Sequence, residues 1–187
     1  MVSFLVIYGT GEGQTAKVAD RIAGVLDERG HDVTTVDAGE RPADLAVGSF
    51  DAVLVGASIH AGRHQRAVRK FVTANRETLA QKPTAFFQVS LSSADEESEE
   101  EAAGYVEAFV EATDWHPDRI GLFGGALRFS QYGFLMRAMM KRVARKAYPE
   151  ADTSGDVEFT DWESVTAFAD DFGSFVDERT DVVEPNS

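Results

Sequence analysis

The residues best suited to chemistry lie near the start of the chain, in Tyr8-Gly9-Thr10-Gly11-Glu12-Gly13-Gln14-Thr15. An apolar run precedes them and a segment of helical period follows. Glycines at this spacing let the backbone curl until several amide N–H groups converge. The hydroxyls of Thr10 and Thr15 can donate to the same point, and an opening helix adds a favourable dipole. Such a loop holds a phosphate without a lysine or arginine of its own.

Several readings compete for this loop. A nucleoside triphosphate would want the Lys-Ser/Thr pair of a Walker A loop, which is missing here. A dinucleotide fits Gly11-x-Gly13-x-x-Ala16, with Asp37 about 20 residues further on at the end of a second strand. FMN fits the form Thr-x-x-Gly-x-Thr, met by Thr10, Gly13 and Thr15. A purely structural glycine turn is the remaining reading. Loops after later strands weigh on the choice: Ser58-Ile59-His60-Ala61-Gly62-Arg63-His64, then Ser90-Leu91-Ser92-Ser93, then Gly124-Gly125-Ala126-Leu127-Arg128. Their small residues and hydroxyls suit a flat ring whose polar rim is read by backbone groups. A dinucleotide domain usually needs a sixth strand. The balance favours FMN, with NAD as the alternative.

These loops must be positioned by a sheet. Short runs rich in Val, Ile, Leu and Phe alternate with segments of helical period, the βαβ signature of a parallel sheet covered on both faces. The expected strands are Val2 to Tyr8, Asp32 to Asp37, Ala52 to Ala57, Thr84 to Leu91 and Ile120 to Ala126. Helical stripes are expected through Val18, Ile22, Val25 and Leu26, through Val68, Phe71 and Val72, and through Tyr105, Val106, Phe109 and Val110. A last helix opens with Thr160 and Glu163 at capping-box spacing and buries Val165, Phe168, Ala169, Phe172, Phe175 and Val176. The whole is expected to be a single α/β domain of residues 1–187, doubly wound around five strands.

Composition narrows the chemistry. The chain has no cysteine, which removes disulfides, thiolate catalysis and thiolate-ligated metal centres. Its four histidines, His31, His60, His64 and His116, lack the spacing of a zinc motif, so no metal is expected. Met1 to Tyr8 reads as a strand and not as a signal peptide. No apolar stretch approaches the roughly 20 residues that span a bilayer, and a cytoplasmic location is expected. A net charge of -14 argues against nucleic acid as a partner. Asp95 to Glu101 is almost wholly acidic and precedes a helical pattern, as a solvated helix start or a partner-docking face would.

One stretch runs against that charge. Arg119 to Pro149 holds no acidic residue but carries Arg119, Arg128, Arg137, Lys141, Arg142, Arg145 and Lys146. Within an insertion of about 128–159, Leu135, Met136, Met139, Met140 and Val143 share a broad apolar face, with Phe129, Tyr132 and Phe134 before them. A basic amphipathic helix of this kind reads as a substrate cap or a membrane-surface element through 128–146, at the inner face of the membrane, or as a cap packed on the domain with solvated charges. His60, Arg63 and Arg128 are the candidate catalytic residues: Arg63 and Arg128, with Arg137 as a further candidate, to pair with substrate carboxylates, and His60 or else His64 to relay protons near neutral pH. Arg128 directly follows a strand end and is expected to reach over the ring.

The chain resembles the flavodoxin-like, quinone-linked protoporphyrinogen dehydrogenases. The resemblance rests on Glu12-Gly13-Gln14-Thr15, Gly56-Ala57-Ser58-Ile59 and Trp115-His116-Pro117-Asp118-Arg119, and on Gly125-Ala126-Leu127-Arg128-Phe129 and Thr160-Asp161-Trp162-Glu163. It implies a flavodoxin-like sheet of order 2-1-3-4-5 with a helical insertion before the last helix. It also implies FMN as cofactor, a carboxylated porphyrinogen-like substrate and a membrane quinone as acceptor. By this analogy Thr10 to Thr15 hold the phosphate, while Ser58 to Gly62, Ser90 to Ser93 and Gly124 to Ala126 surround the ring. The alternative is a flavodoxin-type electron carrier that docks on a redox partner protein through its acidic surface.

Overall fold

The computed structural model describes residues 1–60, 62–94, 98–128, 130, 133–150, 152 and 154–183. Ala61, Asp95, Glu96, Glu97, Phe129 and Tyr132, which belong to segments singled out above, lie outside the described residues. Five parallel strands form the central sheet: β1 (Ser3–Gly9), β2 (Asp32–Asp37), β3 (Ala52–His60), β5 (Thr84–Ser90) and β6 (Arg119–Gly124), in the order β2-β1-β3-β5-β6. Counting these five alone, the order is the expected 2-1-3-4-5. A two-residue strand, β4 (Arg63–His64), turns back against the end of β3, pairing Ile59 with His64 and His60 with Arg63.

The period-two alternation of the strands decides what lies on each face. Phe4 and Val6 of β1, Leu54 of β3 and Phe87 of β5 pack against α1 (Gln14–Glu28) and α5 (Trp162–Val183). Their neighbours Leu5, Ile7, Val53, Val55 and Phe86 pack against α2 (Arg66–Leu79) and α3 (Glu99–Thr113). The expected stripes behave accordingly: Val18, Ile22, Val25 and Leu26 are buried in α1, and Val68, Phe71 and Val72 in α2. The start of α5 differs from the expected capping box. Asp161 caps it, its carboxylate accepting from the amides of Glu163 and Ser164. Thr160 is turned away from the helix start: its hydroxyl donates to the Gly124 carbonyl and its oxygen accepts from Gln14 Nε2.

The expected fifth strand is also divided. β6 stops at Gly124, and β7 (Ala126–Leu127) leaves the sheet to pair antiparallel with β8 (Val157–Glu158). The paired β7 and β8 close the base of the segment that contains α4 (Phe134–Ala147). At its far end α4 is tied down by Tyr148, whose hydroxyl donates to the Leu91 carbonyl and whose ring lies 4.6 Å from that of Phe159.

Candidate functional site

The strands point their carboxyl ends at one crevice, and β1 and β3 flank the place where the direction of winding reverses. That crevice holds a cavity of about 490 Å3. The loop after β1 forms one end. Gly13 takes φ 91°, a left-handed conformation open to glycine at no steric cost, and α1 begins at the next residue. The Gly13 amide donates to Thr10 Oγ1 at 2.9 Å, so the Thr10 oxygen is the acceptor there and its own O–H is left to donate elsewhere. Thr15 is only 1% exposed and its hydroxyl has no hydrogen-bond partner among the described residues. Both threonines line the cavity, with Gly11, Glu12 and Gln14.

The later loops complete the wall. Ser58, Ile59 and His60 line it at the end of β3, Ser90 and Leu91 at the end of β5, and Gly125 and Ala126 after β6. Each loop is braced from behind. Gln65 accepts from the Ser58 amide and donates to the Ser58 hydroxyl. Ser93 holds Ser90 through a 2.7 Å hydroxyl contact. The Gly125 amide donates to the Ser90 carbonyl at 2.9 Å. Gly13, Gly62, Ser92, Ser93 and Gly124, expected around a ligand, stand beside the cavity and do not line it. Val89 and three methionines of α4, Met136, Met139 and Met140, do line it and were missing from the expected set. The apolar stripe of α4 was the available signal; periodicity shows that a face is apolar, not what it faces.

The candidate catalytic residues separate. His60 lines the cavity and is exposed. Arg63 is exposed on β4, outside the lining. Arg128, expected over the ring, directs its guanidinium to Gln14 and to Glu158 and is not part of the lining. His64 turns inward: its Nε2 meets the Gln88 side-chain oxygen at 2.9 Å, and its ring sits edge-on to Phe86 and Phe109. Gln88 spends its amide N–H on the Ala102 carbonyl, which points its oxygen at the histidine.

Burial pushes the His64 pKa down and Arg69 adds to the effect, against the hydrogen bond accepted by the Gln88 oxygen. A base whose folded pKa is depressed binds fewer protons folded than unfolded, so stability rises with pH between the two values. The contribution is full above the unfolded value of about 6.5 and is lost as pH falls toward the folded one. Wild-type protein is therefore expected to lose unfolding free energy from about pH 7 to about pH 5.5, and His64→Gln to lose less. Denaturant melts at both pH values check this, and parallel losses would assign the effect to other groups.

Comparisons with known proteins bear on this geometry. A sequence profile described as a flavodoxin domain matches residues 5–154. The chain is 33% identical over 179 residues to the protoporphyrinogen IX dehydrogenase [quinone] of Escherichia coli (strain K12), covering 94% of this chain and 97% of that one. It is 29% identical over 174 residues to the protein of that name from Leishmania major, covering 91% and 74%. Among solved structures, a short-chain flavodoxin associated with a non-canonical PDU bacterial microcompartment superposes with a TM-score of 0.60 at 16% identity, over 94% of this chain and 99% of that one. At that identity the likeness concerns the fold.

Proposed function

The chain belongs to the flavodoxin family, among the quinone-linked protoporphyrinogen IX dehydrogenases, and from that premise we propose that its cavity holds FMN and oxidises protoporphyrinogen with a quinone as acceptor. One observation carries the proposal: a single cavity joins a cradle of amides and hydroxyls to a methionine wall supplied by the insertion. The residues present suit the cofactor. The buried Thr15 hydroxyl lacks a partner, and at Gly11 and Gly13 nothing stands within 4 Å of where a side chain would begin. In open α/β sheets ligands sit outside the strand ends at the switch point, for which flavodoxin is itself the standard example.

When bound, the flavin supplies hydride acceptance and the onward release of electrons. The chain supplies position and surroundings. Thr10, Thr15 and the loop amides hold the phosphate. Ser58, Ile59 and His60, Ser90 and Leu91, and Gly125 and Ala126, on the three later loops, would surround the ring. Met136, Met139 and Met140 exclude water and offer polarisable, adaptable surface to an apolar macrocycle or quinone. His60 and Arg63 stand at the exposed β3–β4 hairpin, Arg63 to pair with a substrate carboxylate and His60, on the cavity wall, to pass protons. The purified protein is expected to be yellow with one FMN per chain. Release of a nicotinamide dinucleotide, or failure to bind FMN at micromolar concentration, would overturn the reading.

We also infer peripheral membrane contact from the cytoplasmic side. No described helix is long and apolar enough to cross a membrane. Yet Phe134 is 87% exposed and Leu135 81%, at the start of a helix that carries Arg137, Lys141, Arg142, Arg145 and Lys146. Basic residues near an anionic surface contribute about 1 kcal/mol each. Changing Lys141, Arg142, Arg145 and Lys146 to Glu is expected to abolish co-sedimentation with anionic liposomes at low salt and to leave bound FMN in place. Unchanged sedimentation would remove this surface from the account.

A further inference from the structure

Gln14 opens α1 and lines the cavity, and both polar atoms of its side chain are engaged by neighbouring side chains. Its Nε2 donates to Thr160 Oγ1 at 2.8 Å and its Oε1 accepts from Arg128. Thr160 in turn donates to the Gly124 carbonyl at 2.7 Å. The network thus ties the first turn of α1 to the end of β6, to the start of the insertion and to the approach to α5. Arg128 has a second partner in Glu158, at 3.4 Å, and Lys17 reaches the same carboxylate oxygen at 3.3 Å. Burial opposes ionisation of Glu158, but hydrogen bonds with Trp162, Lys17 and Gln14 outweigh it and hold its carboxyl below the usual range. Two cations therefore share one carboxylate behind the amino terminus of α1.

The loop in front has the opposite deficiency. From Thr10 to Thr15 it contains no lysine or arginine, and it contains Glu12, in a chain of net charge -14. A phosphate dianion held there by amides, hydroxyls and the helix dipole would remain undercompensated by the loop itself. The Arg128 side chain is only 14% exposed, so its field passes through protein and is weakly screened by salt.

We propose that Arg128 is a positioning residue for the cofactor phosphate: clamped on Gln14, it fixes the first turn of α1 and supplies from behind the cradle the positive charge that the loop lacks, with Glu158 attenuating it. This rests on the FMN reading and deepens it. Glu158, although across the network, then has an effect opposite in sign to that of Arg128. A role limited to holding the fold gives both residues the same sign.

The test is titration of the apoprotein with FMN and, separately, with riboflavin, which carries the same ring and no phosphate. Wild type is expected to prefer FMN. Arg128→Met is expected to weaken FMN about tenfold and riboflavin less than about twofold, as loss of a poorly screened charge requires. Arg128→Lys keeps the charge but not the forked donor geometry, and is expected to regain part of the loss. Glu158→Gln is expected to tighten FMN and leave riboflavin unchanged. Equal weakening of both ligands in Arg128→Met, or weaker FMN binding in Glu158→Gln, overturns the proposal. The two arms also separate it from its premise: wild type that binds riboflavin as tightly as FMN overturns the phosphate reading itself, whatever the variants do.

Discussion

Gly56→Ala is expected to lower the unfolding free energy by about 1–3 kcal/mol, the usual cost of forcing a methyl group into a packed core. Gly56 lies in β3, paired with Tyr8 of β1 on one side and Phe87 of β5 on the other. A side-chain carbon built there would stand 2.1 Å from Cζ of Phe87 and within 2.7 Å of two more ring atoms. Phe87 is fully buried among residues of α1 and α5, so its ring has no empty space to enter. Each kcal/mol corresponds to about 2–4 °C in the melting temperature of a chain this size. A double-mutant cycle with Phe87→Leu locates the cause. The smaller residue is expected to cost stability alone, as a cavity, and to recover part of the loss when combined with Gly56→Ala. Simple additivity of the two losses would show that the ring is not what the new methyl meets.

Thr15→Val is expected to act with opposite signs on two measurements. Valine preserves the shape and removes the hydroxyl. In the apoprotein the Thr15 oxygen is buried without a partner among the described residues, and replacing such a group by an apolar isostere is neutral or stabilising. In the FMN complex the same oxygen is proposed to donate to the phosphate. Its loss is expected to weaken binding by about 1–3 kcal/mol, roughly fivefold to 150-fold. Apoprotein melts and FMN titrations together check the pair. Unchanged FMN affinity would move the phosphate away from Thr15. A destabilised apoprotein would mean that the hydroxyl has a structural role of its own.

Much of this architecture was legible in the sequence because burial on both faces of a parallel sheet leaves continuous apolar runs. Thr84–Ser90, buried at every position, ends one residue short of the expected Leu91, and even the polar edge strand Asp32–Asp37 matches the expected one residue for residue. The differences arise where tertiary partners overrule local pattern. β3 runs three residues past the expected Ala57 because Ile59 and His60 find partners in β4. Ala126 leaves the expected fifth strand because Glu158, more than thirty residues later, offers a different pairing. Thr160 looks like a helix cap by spacing, but Gly124 and Gln14 engage its hydroxyl and Asp161 takes the role.

The candidate site was legible in its loops and not in its roof. Glycines and hydroxyls at strand ends carry their chemistry in the residue types themselves, so Thr10, Thr15, Ser58 and Ser90 could be found from the sequence. Met136, Met139 and Met140 carry only an apolar period, which fits a buried cap as well as a cavity wall. Leu135 belongs to the same expected face and is 81% exposed. Arg128 shows the limit from the other side. A cation beside a strand end suggests a ligand, but its nearest acceptors, Gln14 and Glu158, come from residues distant along the chain.

The central claim is that the cavity couples oxidation of a porphyrinogen to reduction of a quinone. Anaerobic mixing of the FMN-loaded protein with protoporphyrinogen, followed by a menaquinone analogue, tests it most directly through the flavin absorbance. The account predicts that the first addition bleaches the flavin, which takes one electron pair from the porphyrinogen, and that the second restores its colour, with porphyrin accumulating as excess quinone removes the electron pairs that one flavin cannot hold. Flavin that stays oxidised with protoporphyrinogen, yet is reduced by a reductase and reoxidised by a protein acceptor, would contradict the account and identify an electron carrier instead.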